Sequence, residues 1–315
     1  MTSIFQGQHM KSIKIFVSHR IDIDSFQIPN PIFINVLCGA YRPHKDNGLI
    51  GDNTGDNISE LQPYFSELTV QYWAWKNQDA DYYGLCHYRR FLSFSDEKFR
   101  SNEQNFVKEE RLCKETAKKY NLLSGEKIRG LCEKYDCIVS EPSPVQGWNL
   151  QNKNNLISNT LDLWLTFGNV CEKDINILHE IIFKHFSDYS EAYNCYFEST
   201  EYTGFNCFLM SKDLFFKLCD FQFSVIRYFE KFIDASTYSD ENKKRIYGYI
   251  CEILYGIFIK KIEIEKQHKI YYAQLIMFSN TEKLSFFKSI LFFMFPYNSK
   301  RRSLLKKIKK FFWKN

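Results

Sequence analysis

Gly51-Asp52-Asn53-Thr54-Gly55-Asp56-Asn57, then Glu67-Leu68-Thr69-Val70-Gln71-Tyr72-Trp73-Ala74-Trp75-Lys76-Asn77, then Tyr82-Tyr83-Gly84-Leu85-Cys86-His87-Tyr88-Arg89-Arg90 make up most of the stretch between Gly51 and Leu92. It reads in turn as loop, helix and strand. Asp and Asn side chains close tight turns on their own backbone, so the first piece is a turn, with oxygens that also suit sugar hydroxyls or a cation. Leu61, Phe65, Leu68, Tyr72 and Trp75 recur three or four residues apart and predict one apolar helix stripe. Pro63 suits its first turn, where no amide donor is needed. Tyr64 and Trp73 fall off that stripe, free to face either a ligand or the core. The short apolar run from Tyr82 to Cys86 is a strand that ends on His87-Tyr88-Arg89-Arg90. In open α/β sheets, ligands sit at the carboxyl ends of strands. Two arginines and a histidine at such an end make an anion site, most naturally for a diphosphate. Solvated charge at a strand end is the plainer alternative.

Working outward, Ile13 to Val17 and Pro31 to Cys38 read as buried strands, the second ending at Gly39-Ala40. Residues 95–134 alternate in charge and read as solvated helices. Tyr135 to Val139 is a further strand, stopped by Pro142 and Pro144, and residues 145–160 read as a mobile loop. Helices are expected over about 160–168 and 173–187. Phe205 to Met210 reads as a strand, with Ser211 capping the helix that follows. A last helix over about 241–260 carries Ile246, Tyr249, Ile250, Ile253, Leu254 and Ile257. The class is α/β, one large domain with helical additions.

The 315 residues are 44% hydrophobic and 17% aromatic, a packed globule rather than a disordered chain. Ten cysteines without a C-x-x-C pair point to buried free thiols rather than zinc. No secretory signal is visible. Residues 1–9 read as a cloning remnant with His9-Met10 as the junction, residues 10–282 as the catalytic body and residues 283–315 as a tail. That tail holds ten Lys or Arg and no Asp or Glu, so the body carries a net negative charge. Phe286 to Phe295 is apolar but far short of the roughly 20 residues that span a bilayer. Leu304, Leu305, Ile308, Phe311 and Phe312 share a helical face opposite Lys306, Lys309 and Lys310. Such a segment lies in the membrane interface, here on an anionic surface. Nucleic acid is not an expected partner, because basic stripes are missing from the body.

The pieces GDNTGDNIS, ELTVQYWAWKN and DYYGLCHYRRFL, in that order and spacing, resemble a bacterial family of capsular or exopolysaccharide biosynthesis glycosyltransferases. Weaker similarity reaches Ile15 to His19 upstream, and Phe205 to Met210 and Arg245 to Ile259 downstream, covering residues 11–262. The resemblance implies a GT-A-like, Rossmann-like fold and transfer of a sugar from a nucleotide sugar. The donor implied is UDP-linked galactose, in pyranose or furanose form. The acceptor would be a lipid-linked or oligosaccharide glycan, and the location the cytoplasmic face of the cell membrane. Carried onto this chain, it suggests His19, Asp52, Asp56, Asn57, Tyr88, Arg89, Arg90, Asn206 and Arg245 for the donor. Glu252, matching a Glu in the family's Arg-x-x-Gly-Tyr-Ile-x-Glu helix, and His87 are the catalytic candidates. An arginine partner that merely organises the core is the alternative for Glu252. Two departures, Ile253 where relatives carry Arg and Cys171 to Asp174 where they carry His, bear on the acceptor. Asp79-Ala80-Asp81 precedes its strand, the wrong end for a metal holding a diphosphate. Transfer without a required cofactor is therefore expected, with Asp52 or Asp56 the route by which Mn or Mg would enter. A non-catalytic sugar- or nucleotide-binding subunit of a polysaccharide assembly complex is the competing reading.

Overall fold

Ile13, Ile15 and Val17 point to one side of the first strand and Phe16 to the other, and all four are buried. A strand apolar on both faces belongs inside a sheet covered by two layers. In the computed structural model, which describes residues 11–46, 48–151, 156–283 and 301, this strand is central. β1 (Ile13–Arg20) runs parallel to β2 (Phe33–Cys38) on one side, with β3 (Ile50–Gly51) beyond it. On its other side lies parallel β4 (Tyr82–His87), from which a turn leads into β5 (Arg90–Leu92). β5 pairs with β12 (Leu275–Asn280), which runs parallel to β6 (Phe106–Arg111). Past β4 come β10 (Phe208–Ser211), antiparallel to both neighbours, then β7 (Cys137–Ser140) and β11 (Ile270–Ala273), parallel to one another. β8 (Ser143–Pro144) and β9 (Glu201–Tyr202) form a separate small ribbon.

The sheet divides two cores. One, built on Phe16, Val36, Tyr83 and Leu85, is covered by helices. These are α1 (Gln62–Phe65), α2 (Leu68–Asn77), α5 (Thr160–Phe167), α6 (Glu172–His185), α7 (Ser190–Glu198), α8 (Lys212–Phe229), and α10 (Ile246–Glu265), which follows α9 (Glu241–Lys244). The other, on Ile15, Val17, Cys86 and Leu209, takes in Ala117 of α3 (Lys114–Lys119) and Ile128 of α4 (Gly125–Lys134). Two glycines seat α10. A Cβ on Gly256 would meet the Thr203 carbonyl oxygen at 2.7 Å, and one on Gly248 the Phe65 carbonyl oxygen at 3.3 Å. Side chains there would lift the helix off the very segments that carry site residues.

The expected α/β class holds, and several elements differ in detail. The single helix over Leu61 to Trp75 is broken at Ser66, whose φ of 53° is left-handed. The break shifts the phase of the following turns, so Trp73 is buried against Phe16 with Nε1 donating to Thr54 Oγ1. Residues 106–111 are a strand rather than a charged helix, because Phe106, Val107 and Arg111 are buried beside β12. Val145–Gln151 form 3-10 turns. The strand expected from Phe205 starts at Phe208, since Phe205 and Asn206 take φ of 72° and 45°. Ser211 precedes its helix without a side-chain capping bond. The tail beyond residue 283 lies outside the described residues apart from residue 301, as do residues 1–10. Among the described residues no helix is long and apolar enough to cross a membrane.

Candidate active site

β1, β2 and β4 end side by side, and a cavity of about 850 Å³ opens above their carboxyl ends. Ser18, His19 and Arg20 reach it from β1, Cys38 from β2, and His87 to Arg90 from the β4–β5 turn. The opposite wall comes from the α1–α2 junction, through Gln62, Ser66 and Glu67, and from the start of α10. Arg245, Tyr249 and Glu252, four and three residues apart, share one helical face.

The cavity is rich in guanidinium groups. Arg20 pairs with Asp22 at 2.5 Å. Among the described residues Arg42, Arg89, Arg90 and Arg245 form no ion pair, although all four line the cavity. Neutral groups hold them instead. Arg245 Nε donates to Ser66 Oγ at 2.8 Å and Arg42 Nε to the Tyr41 hydroxyl at 2.8 Å. Arg89 lies over the Tyr88 ring and Arg90 over Phe205. Charge left without a carboxylate at a concave strand end is a site for an anion.

Both histidines are neutral there. Burial, then the charges of Arg90 and Arg89, hold His87 well below the usual imidazole range. Its Nδ1 accepts from the Arg89 amide at 3.3 Å, which leaves the hydrogen on Nε2. His87 is thus built as a donor at the mouth of the β4–β5 turn. Burial also lowers His19, whose Nε2 meets Asn35 Oδ1 at 2.8 Å and whose Nδ1 is buried with no hydrogen-bond partner among the described residues. Among the described residues Glu252 forms no ion pair with an arginine. Its Oε1 accepts from the Tyr202 hydroxyl and from the Phe205 amide at 2.8 Å. Burial and the Glu252 charge push the Tyr202 hydroxyl well above its ordinary value, so it stays a donor.

Of the residues expected for the donor, His19, Tyr88, Arg89, Arg90 and Arg245 line the cavity, while the Asp/Asn loop does not. Asp52 is fully buried and accepts from the Gly39 amide at 2.9 Å, the Ala40 amide at 3.0 Å, Ser59 Oγ at 2.5 Å and Thr69 Oγ1 at 2.6 Å. With its acceptor positions filled it shapes the loop after β2 rather than holding a ligand. Asp56 accepts from the Tyr72 hydroxyl at 3.1 Å, and Asn77 brackets its backbone. Asn57 closes on Gly55 and Ser59. Asn206 stands one step behind the cavity, donating to Glu67 Oε1 at 3.3 Å. Asp79 pairs with Lys212 at 2.6 Å and Asp81 accepts from the Ser12 amide at 2.7 Å, both at the amino end of β4. Among the described residues no group of three or more His, Cys, Asp or Glu is placed to hold a metal ion.

Sequence reasoning missed Arg20, Arg42, Gln62, Ser66 and Glu67 as cavity residues, and placed Tyr249 on an apolar face. Glu67 carried a signal, since it heads the Glu-Leu-Thr piece. Arg42 carried none.

The sequence profile of the domain of unknown function DUF4422 matches residues 14–266, which include every residue lining the cavity. The chain belongs to that family. Its structure is similar to that of the WbbM bifunctional glycosyltransferase in the apo form, with a TM-score of 0.76 and 29% identity. The match covers 87% of this chain and 47% of that one, so this DUF4422 chain spans about half the length of that protein. No curated protein matches the sequence.

Proposed function

We propose that the chain is a glycosyltransferase of bacterial capsule or surface polysaccharide synthesis, moving a sugar from a nucleotide diphosphate sugar to a lipid-linked glycan. The observation that carries this reading is the set of guanidinium groups without carboxylate partners, among the described residues, at the carboxyl ends of parallel strands. Likeness to a glycosyltransferase across most of the chain supports it, and the parallel β3-β2-β1-β4 half supports the GT-A-like form. UDP-linked galactose, pyranose or furanose, is the donor we favour, on the resemblance of the Gly51 to Leu92 block.

Arg89 and Arg90, with Arg245 opposite, take the diphosphate. As the bond to the sugar breaks, charge grows on the leaving phosphate, and fixed cations placed there stabilise the transition state more than the ground state. Guanidinium groups keep their charge at every working pH. His87 Nε2 adds a neutral donor. These groups are the reason to propose turnover without a divalent metal. The basic tail, on this reading, holds the enzyme on the anionic inner face of the membrane, where a lipid-linked acceptor resides. Loss of liposome co-sedimentation on truncation after Glu282 is the expected outcome, and unchanged binding would remove that part.

A thermal-shift screen of the full chain against nucleotides and nucleotide sugars, with and without EDTA, tests the core of the proposal. Ligand at a hundred times its Kd adds about 2.7 kcal/mol to native stability. A rise in Tm with UDP-galactose, unaffected by EDTA, is expected. Binding without any turnover would instead favour a non-catalytic subunit.

A further inference from the structure

Backbone strain in this chain is unevenly placed. Among the described residues, Ser66, Asn105, Asn121, Phe205, Asn206 and Lys266 are the non-glycine residues with positive φ. Lys266 is the helix cap of α10, and Asn105 and Asn121 are of the type that tolerates this region. Asn206 is of that type too, but it directly follows Phe205, and with Ser66 the pair flanks two cavity carboxylates, Glu67 and Glu252. Ser66 (φ 53°) ends α1 and sets the next residue, Glu67, on the cavity wall. Phe205 (φ 72°) and Asn206 (φ 45°) hold the left-handed region in succession, which side chains with a Cβ avoid unless the surroundings enforce it.

That enforced turn grips two carboxylates. The Phe205 amide donates to Glu252, and Asn206 Nδ2 donates to Glu67 Oε1 at 3.3 Å. Asn206 is 2% exposed, and its Oδ1 is buried with no hydrogen-bond partner among the described residues. A buried amide left half-satisfied, next to a Phe205 held at a left-handed φ, is not what packing alone selects. The cavity carboxylates also differ in their freedom. Asp22 is tied to Arg20 and Glu241 to Lys244. One Glu252 oxygen is taken by two donors. Glu67 lines the cavity, and among the described residues its carboxylate receives the single bond from Asn206 on Oε1.

We infer that Glu67 is a catalytic residue, the general base for the acceptor hydroxyl, and that Asn206 is the positioning residue that aims it. The inference rests on the sugar-transfer reading above. The acceptor oxygen attacks the anomeric carbon as that carbon's bond to the diphosphate oxygen breaks. The bonding electron pair leaves with the diphosphate among the arginines, and the hydroxyl proton passes to Glu67. A single displacement of this kind inverts the anomeric configuration.

The test uses the full chain with UDP-galactose in both ring forms. It reads UDP binding by calorimetry and UDP release with water as the acceptor. Glu67→Gln should bind UDP within about threefold of the wild type yet lose about 10²- to 10⁴-fold in release, the usual range for a general base. It should also lose the acid limb of the pH–rate profile, and Glu67→Asp should restore part of both. Asn206→Ala should slow release about tenfold and displace that limb, which a merely structural role would not do. Release by Glu67→Gln within about threefold of the wild type would overturn the inference alone. So would loss of UDP binding together with release, or disappearance of the acid limb in Glu252→Gln instead. A wild-type chain that neither binds UDP nor releases it from either donor would overturn the sugar-transfer reading, and the inference with it.

Discussion

The Asp52 to Asn57 loop and the His87 to Arg90 turn lie within one sequence block, and both are crowded with polar residues, yet they have opposite uses. In the loop nearly every polar atom closes on the protein: Asp52 takes four donors, and Asn57 satisfies its own turn. In the turn Arg89 and Arg90 rest on rings and face open space. A buried polar group whose bonds are complete holds the fold. A charged group held by neutral neighbours is left for something that arrives from outside.

The largest effect should come from the loop. Asp52→Ala leaves two amides and two hydroxyls without their acceptor and should cost about 3–5 kcal/mol in urea unfolding. A variant of native stability would break the contrast at its structural end. Arg89→Ala and Arg90→Ala should each lower kcat/KM tenfold or more, at about 1.4 kcal/mol per decade, while Tm stays near the wild type. If either instead unfolded the protein with activity per folded molecule unchanged, the turn would belong with the loop.

The histidines sharpen the comparison by pH. His19 and His87 have depressed pKa values in the folded state, so the unfolded chain takes up protons first as the pH falls. Stability is therefore full above about pH 6.5, the ordinary imidazole value, and declines below it, by up to about 1.4 kcal/mol per pH unit for each histidine. Unfolding at pH 7.5 and 5.5 should show that slope, and His87→Asn should reduce it. An unchanged slope would place the titration elsewhere. The smallest effect belongs to Asp79→Asn, which breaks only an exposed pair with Lys212. Tm should hold within about 2 °C, and activity should not change with or without EDTA. A metal-dependent loss would restore Asp79-Ala80-Asp81 as a candidate.

What the sequence revealed follows the same division between local and distant causes. β1 and β4 were legible because a strand buried on both faces is apolar throughout, and the strand-end rule then located Arg89 and Arg90. The α10 face was half legible, since periodicity finds Ile250 and Leu254 but does not tell Tyr249 from them. β6 was hidden because Lys108, Glu109 and Glu110 mask a strand whose partner, β12, lies far along the chain. Asp52 stayed open between turn and ligand site because its composition suits both, and its partners Gly39, Ala40, Ser59 and Thr69 are seen only in the fold. Glu67 stood in plain view, but the turn that holds it comes from Phe205 and Asn206, which no local pattern connects to it.

The glycine-seated docking of α10 also sets an order in time. One wall of the cavity is made from residues 18–90 and the other is completed by Arg245, Tyr249 and Glu252. A growing chain therefore holds the arginines of the β4–β5 turn long before it can enclose anything with them. The sheet is likewise finished late, when β11 joins β7 across a wide sequence gap, a pairing of the kind that slows folding. Substrate added during refolding should leave the early phases untouched and hasten or trap only the last, which makes donor binding a clock for the closing step of assembly.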